Sequence, residues 1–141
     1  KYEMDATTGH IFLDYVFKDG FSFPFNYAFV PHTMAEDGDP LDVMVLSSAP
    51  IHPNTVVQVK PLGVLKLKDR GEQDNKMLGV AADDPMAEGL NDIFDLGEDR
   101  LAKIREFWEQ VAVQKNKVME IDKFYRRDEA IAEVKRCMTD K

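Results

Sequence analysis

Residues 36–46 read EDGDPLDVMVL, and this stretch limits the fold more than any other. Four carboxylates, Glu36, Asp37, Asp39 and Asp42, fall within seven positions and run directly into Val43-Met44-Val45-Leu46. The apolar run is short and branched, as in a buried strand. Ionised carboxylates repel one another and resist leaving water, so an acidic turn against a buried strand calls for positive charge to fill the gap. Gly38 and Pro40 exclude a helix and favour a tight turn. In a straight strand Asp37 and Asp39 would share one side and Asp42 the other; a turn at Gly38–Pro40 lets all three converge. Converging oxygen ligands suit a hard divalent ion such as Mg²⁺, which keeps several waters and leaves room for a phosphate oxygen. A calcium loop of the EF-hand type does not fit, because Leu41, Asp42 and Ser48 stand where an oxygen ligand, glycine and glutamate are needed. Taken alone, a solvated acidic turn is an equal reading of such a cluster.

A second acidic segment, Asp69-Arg70-Gly71-Glu72-Gln73-Asp74-Asn75-Lys76, also carries acids beside a glycine and also joins two strand-like runs. Two such loops at strand ends can meet at one rim, where binding sites collect. Lys76 and Lys1 then become cations facing an anionic ligand, although each alone reads as an ordinary exposed lysine.

The 141 residues suffice for one domain, 1–141, with a real core. The opening Lys1-Tyr2-Glu3 has no initiator Met, so an upstream N-terminal segment is expected to be missing. Strand signals occupy His10–Phe17, Phe21–Tyr27, Val43–Leu46, Thr55–Lys60, Gly63–Leu67 and Met77–Ala82. The period then becomes helical, with Leu101, Ile104, Phe107, Trp108 and Val111 on one face. Lys117–Asp122 offers one more strand, and Asp128 is expected to cap a last helix burying Ile131, Val134 and Met138. The expected class is α+β, mainly β: an antiparallel barrel with C-terminal helices packed outside.

Net charge is −8, with 26 acidic against 18 basic residues, which argues against nucleic acid as a partner. Bound cations can nevertheless let an acidic site hold a polyanion. No apolar run approaches the ~20 residues of a membrane span, and no signal-peptide pattern is present. No membrane partner is therefore expected. The single Cys137 excludes an internal disulfide and fits a reducing, cytoplasmic location. His10, His32 and His52 have no metal-ligand spacing, and Phe107 and Trp108 read as a helix face rather than a base-stacking platform.

The segment Asp37-Gly38-Asp39-Pro40-Leu41-Asp42 resembles the D-G-D-P-hydrophobic-D signature of family I soluble inorganic pyrophosphatases. Lys1-Tyr2-Glu3 resembles that family's K-Y-E segment, and Phe23-Pro24-Phe25-Asn26-Tyr27 its Y-P-x-N-Y segment with Phe23 in place of tyrosine. Pro61 to Leu65 resembles P-V-G-V-L, and Asp69 to Lys76 keeps the spacing D-x4-D-x-K. The resemblance is dense over residues 1 to about 85 and loose beyond. It implies an OB-like, five-stranded barrel and Mg²⁺-dependent hydrolysis of pyrophosphate to two phosphates. It further implies that Asp37, Asp42 and Asp74 hold the activating metal pair, and that Asp69 with Asp74 binds metals arriving with substrate. Asp39 matches the general base for a water activated between Mg²⁺ ions; Lys1, Tyr27 and Lys76 match phosphate contacts, and Glu3 an acid reaching a metal through water. A homo-oligomer is implied, a hexamer in preference to a dimer.

Three departures stand out. Tyr15 follows Asp14 where the family has arginine, Val111-Ala112 occupies an expected Tyr-Lys pair, and a further glutamate would lie upstream of Lys1. Lys18, Lys115 and Lys117 are substitutes by position, each read more simply as a surface lysine. The alternative to an enzyme is a non-catalytic barrel module that binds divalent metal.

Overall fold

The computed structural model describes residues 1–139. A small antiparallel ribbon pairs β1 (Tyr2–Met4) with β2 (Ile11–Leu13). The main sheet comprises β3 (Asn26–Phe29), β4 (Asp42–Leu46), β5 (Val59–Asp69), β6 (Glu72–Gln73), β7 (Lys76–Ala81) and β8 (Met119–Tyr125). Its order is β3-β4-β7-β5-β6, with β8 also paired to β5. Two 3₁₀ turns, Pro85–Ala87 and Ile93–Leu96, lead into α1 (Glu98–Gln114), and α2 (Arg127–Cys137) follows β8.

The mixed α+β class, mainly sheet with two helices, is as expected, but the antiparallel five-stranded barrel is not. Among the described residues the pairings form an open path of five strands with β8 branching from β5, and β4 runs parallel to β7 with Asp42 opposite Lys76 and Leu46 opposite Val80. The reason lies in β4 itself. Met44 and Leu46 belong to the core cluster that includes α1, whereas Val43 and Val45 belong to the one that includes Ala130 and Cys137 of α2. A strand covered on both faces reads as a continuous apolar run, the pattern of a parallel neighbour rather than a half-solvated hairpin.

Other expectations shift for local reasons. Pro61 does not divide two strands: β5 runs through it, and the register with β7 slips between Pro61 and Gly63. Proline is tolerated at such a bulge, where its missing N–H removes no regular ladder bond. The aromatic run before Tyr27 is not a strand but a cover for α1, with Phe21 stacked on Phe107 at 5.0 Å and Phe23 4.9 Å from the same ring. Leu101, Ile104, Phe107, Trp108 and Val111 are buried, as their spacing predicts. Helix α2 turns a different face inward: Ala130, Glu133 and Cys137 are buried, while Met138 is exposed. Its first N–H, from Arg127, is met by Asp92 Oδ1 at 2.9 Å rather than capped by Asp128.

Candidate active site

Parallel pairing makes β4 and β7 begin at the same end of the sheet, and antiparallel β5 finishes there at Asp69. The residues at that end of the three strands are therefore gathered: Asp42, Asp69, Asp74 and Lys76. The Lys76 side chain is only 4% exposed. Its Nζ lies 2.8 Å from Asp42 Oδ2 and 3.0 Å from Asp74 Oδ2, and donates to Tyr27 Oη at 2.9 Å. All three ammonium hydrogens are thereby used. Tyr27 in turn donates to Asp42 Oδ2 at 2.7 Å. The ammonium also sits 4.8 Å from the Trp108 ring centroid, within cation–π range.

The charges of this cluster are tightly linked. Burial by itself would lower the Lys76 pKa, but Tyr27, Asp42 and Asp74 outweigh it and hold the lysine protonated. Burial pushes the Tyr27 phenol well above its ordinary value, which keeps it a donor to Asp42. Burial also raises the Asp74 carboxyl, Lys76 opposes that rise, and Asp42 and Asp37 add to it. The repulsion of Asp37 and Asp42 felt at Asp74 marks all three as neighbours.

The first acidic turn is organised by its backbone. Gly38 adopts φ +87°, a conformation other residues avoid, and its N–H donates to the Ala35 carbonyl at 3.0 Å. Asp39 N–H donates to Asp37 Oδ1 at 3.0 Å, while the Asp39 side chain is exposed. Fully buried Leu41 anchors the far end, its N–H donating to Thr33 Oγ1 at 2.9 Å.

The second turn is a two-residue hairpin link in which Arg70 and Gly71 both have positive φ, 53° and 85°. Asp69 Oδ2 accepts from Lys117 Nζ at 2.6 Å, whereas Asp69 Oδ1 is buried without a hydrogen-bond partner. Arg70 Nε stands 3.9 Å from it, too far to satisfy it.

Lys1 lies beside this cluster, its Nζ 2.8 Å from Glu3, 3.7 Å from Asp14 and 5.9 Å from the Tyr27 ring centroid. Tyr15 donates to the Gln114 carbonyl at 3.4 Å and lies beneath Lys115, whose Nζ is 4.7 Å from the ring. Burial lowers the Lys115 pKa, and the charges of Lys1 and Lys117 add to that effect. Lys115 and Lys117, which sequence alone reads as surface lysines, thus border the site. Their only sequence signal is position just after α1. Lys18 is exposed, and Val111 is buried in the core.

The contacts join Asp42, Asp74, Lys76 and Tyr27 directly, with Asp37 near by charge; Asp69 pairs with Lys117, and Lys1 with Glu3. Asp39 stays at the exposed edge. Among the described residues no three His, Cys, Asp or Glu side chains converge closely enough to hold a metal ion as they stand. Lys76 is the cation between Asp42 and Asp74.

The family model described as inorganic pyrophosphatase matches residues 1–141. Soluble inorganic pyrophosphatase 2 of Chlamydomonas reinhardtii is 43% identical over 135 residues, covering 96% of this chain and 70% of that protein. Soluble inorganic pyrophosphatase 4 of Arabidopsis thaliana is 40% identical over 124 residues, covering 88% of this chain and 57% of that protein. The chain thus spans between just over half and about two thirds of the length of these curated relatives. Among solved structures, the inorganic pyrophosphatase of Thermus thermophilus superposes with a TM-score of 0.90 at 37% identity, over 98% of this chain and 81% of that one. That of Helicobacter pylori gives 0.92 at 33% identity, over 98% and 83%. No helix among the described residues is long and apolar enough to cross a membrane.

Proposed function

This chain belongs to the inorganic pyrophosphatase family, and from that premise we propose that it hydrolyses pyrophosphate to two phosphates with the help of divalent metal, Mg²⁺ by preference. One observation carries the reading: Asp42 and Asp74, from separate acidic turns, share a single buried ammonium. The donor set fits a hard cation. It consists of carboxylate oxygens, and one of them, Asp69 Oδ1, is buried with nothing to bond, a state that burial penalises unless a cation meets it.

In this reading Asp37, Asp42 and Asp74 would hold the activating metal pair, Asp69 with Asp74 would hold ions that enter with substrate, and Glu3 would act on a metal indirectly. Bound metal would supply charge neutralisation for the polyanion and acidify a water. Asp39, exposed at the rim, accepts the proton of an attacking water, whatever that water's own ligands, as it adds to one phosphorus and the bridging P–O bond breaks. The departing phosphate leaves as an anion. Lys1 donates toward phosphate oxygens, Lys76 and the phenol of Tyr27 would do so once a metal takes their place on Asp42 and Asp74, and Lys115 and Lys117 add positive charge beside Asp69. This division of labour is positioning plus electrostatics, as phosphoryl transfer requires.

The exposed Tyr2, Phe12 and Leu13 on the β1–β2 ribbon support assembly into a homo-oligomer. A cytoplasmic location also belongs to this reading. A second reading, a non-catalytic metal-binding module, draws support from Tyr15 and buried Val111 at positions where cationic or phenolic phosphate contacts were expected.

Phosphate release from pyrophosphate, with and without Mg²⁺, separates the two. Robust Mg²⁺-dependent release that Asp39→Asn lowers by orders of magnitude supports hydrolysis with Asp39 as base. Equal rates in both proteins refute that role, and Mg²⁺ binding without turnover favours the module.

A further inference from the structure

Asn75 separates Asp74 from Lys76, and it is itself buried at 7% exposure. A buried carboxamide must satisfy both its ends or lose about 1–3 kcal/mol for each group left unmet. One end faces Leu67 N–H at 3.3 Å and Gln73 Nε2 at 2.6 Å. A backbone N–H can only donate, so that end is the oxygen and the amide nitrogen points the other way. There Nδ2 donates to Glu133 Oε2 at 3.1 Å.

Glu133 lies on the buried face of α2 at 6% exposure, with Arg136 on its other oxygen and Cys137 Sγ 3.9 Å away. A carboxylate is a poor choice for a helix face against a sheet, where an apolar side chain of similar size fills the space with less desolvation. What the carboxylate provides is an acceptor for Asn75. The consequence reaches the strand ladder. Asp74 N–H donates to the Leu67 carbonyl at 2.9 Å, but the return bond from Leu67 N–H goes to the Asn75 side chain. The carboxamide stands in for a backbone carbonyl just where the chain passes from β6 to β7.

We propose that Glu133 is a positioning residue: through Asn75 it fixes the backbone between Asp74 and Lys76, and so sets the Asp74 carboxylate and the Lys76 ammonium against Asp42. The inference rests on the metal-binding reading of that cluster, not on turnover. Partners one bond removed from a metal's ligands orient those ligands in this way.

The test is Mn²⁺ binding by titration calorimetry without substrate, beside thermal melting, on the wild type, Glu133→Met, Glu133→Gln and Asn75→Ala. Glu133→Met fills the same space without an acceptor, whereas Glu133→Gln keeps an oxygen for Asn75. Glu133→Met and Asn75→Ala are expected to weaken Mn²⁺ binding about tenfold at temperatures where both remain folded. Glu133→Gln should retain most of the affinity, and Glu133→Met/Asn75→Ala together should lose no more than either alone. Lower melting temperatures with unchanged Mn²⁺ affinity would reduce Glu133 to a packing role and overturn the proposal. If Glu133→Met fails to fold, a Glu133→Gln protein that binds as weakly as Asn75→Ala overturns it as well. A wild type that binds no Mn²⁺ overturns both this inference and the metal reading; one that binds Mn²⁺ but spares pyrophosphate overturns only the hydrolase.

Discussion

In the first acidic turn Asp37 is half-buried, Asp39 is exposed, and the bonds that shape the loop run to its own backbone. In the second, the Asp69 and Asp74 side chains are 21% and 15% exposed, and each already holds a lysine ammonium. Asp42 belongs to both, since it follows the first turn and shares Lys76 with the second. The contrast follows from desolvation. A carboxylate withdrawn from water needs a counterion at once, whereas one at the rim keeps water as its partner. A metal entering this site would therefore share or displace lysines on the buried side, while the exposed Asp39 would be left free for the base role proposed for it.

Substitutions can break or sharpen that contrast. The largest effect is expected at the exposed side. Asp39→Asn should lower pyrophosphate turnover by roughly 10²–10⁴ while leaving melting temperature and Mn²⁺ affinity nearly unchanged. A parallel loss of Mn²⁺ affinity, read by calorimetry, would show that Asp39 itself binds metal rather than standing free as a base.

On the buried side, Lys76→Met removes the counterion that Asp42 and Asp74 share. In chelator it should destabilise the fold by about 3–5 kcal/mol, the range for breaking a buried ion group. Saturating Mg²⁺ should recover part of that loss, because a ligand that binds only the folded state stabilises it. Chemical denaturation with and without Mg²⁺ measures both. An unchanged stability in chelator would mean the buried turn does not depend on its ammonium.

A smaller effect is expected at Lys117→Met, which frees Asp69 Oδ2 beside an oxygen already unpartnered. KM for pyrophosphate should rise several-fold, and melting in chelator should fall by less than with Lys76→Met. A larger stability loss than at Lys76 would reverse the ranking of the two lysines.

The smallest effect serves as a control from the opposite end of the sheet. Asp84 accepts from Ser48 Oγ, Met86 N–H and Ser48 N–H, and these bonds hold its carboxyl below the usual range. A depressed folded pKa contributes stability above the unfolded value, near 3.9, and loses it as pH falls through the folded one. Asp84→Asn should therefore melt slightly lower than wild type at pH 7, with the gap closing towards pH 3 and Mn²⁺ binding unaffected. A gap that widened on acidification would contradict the assignment.

Much of the site is legible because it is local. Gly38 and Pro40 dictate a turn, Asp42 abuts a run that must be buried, and the spacing from Asp69 to Lys76 places a cation two residues after an acid. The meeting of the turns is not local. It depends on Asp42 lying opposite Lys76 in a parallel pair, and regular turn signals along the chain point instead to antiparallel neighbours. The doubly buried run Val43–Leu46 carried the only hint of that pairing. Lys115 and Lys117 look solvated until α1 and β8 fold them towards Asp69. Glu133 is invisible for a related reason: nothing in an amphipathic helix reveals that one acid faces inward unless its buried amide partner is known. Phe17, Phe21, Phe23 and Phe25 read as parts of two strands because their shared partner, Phe107, lies far along the chain, on α1.

The most direct measurement is anomalous diffraction from crystals of this chain soaked in Mn²⁺. A peak in ligand contact with both Asp42 and Asp74, with Lys76 Nζ moved from between them, is the predicted result. Mn²⁺ bound only elsewhere, with Lys76 still bridging the two carboxylates, would contradict the shared-cation site on which the account stands.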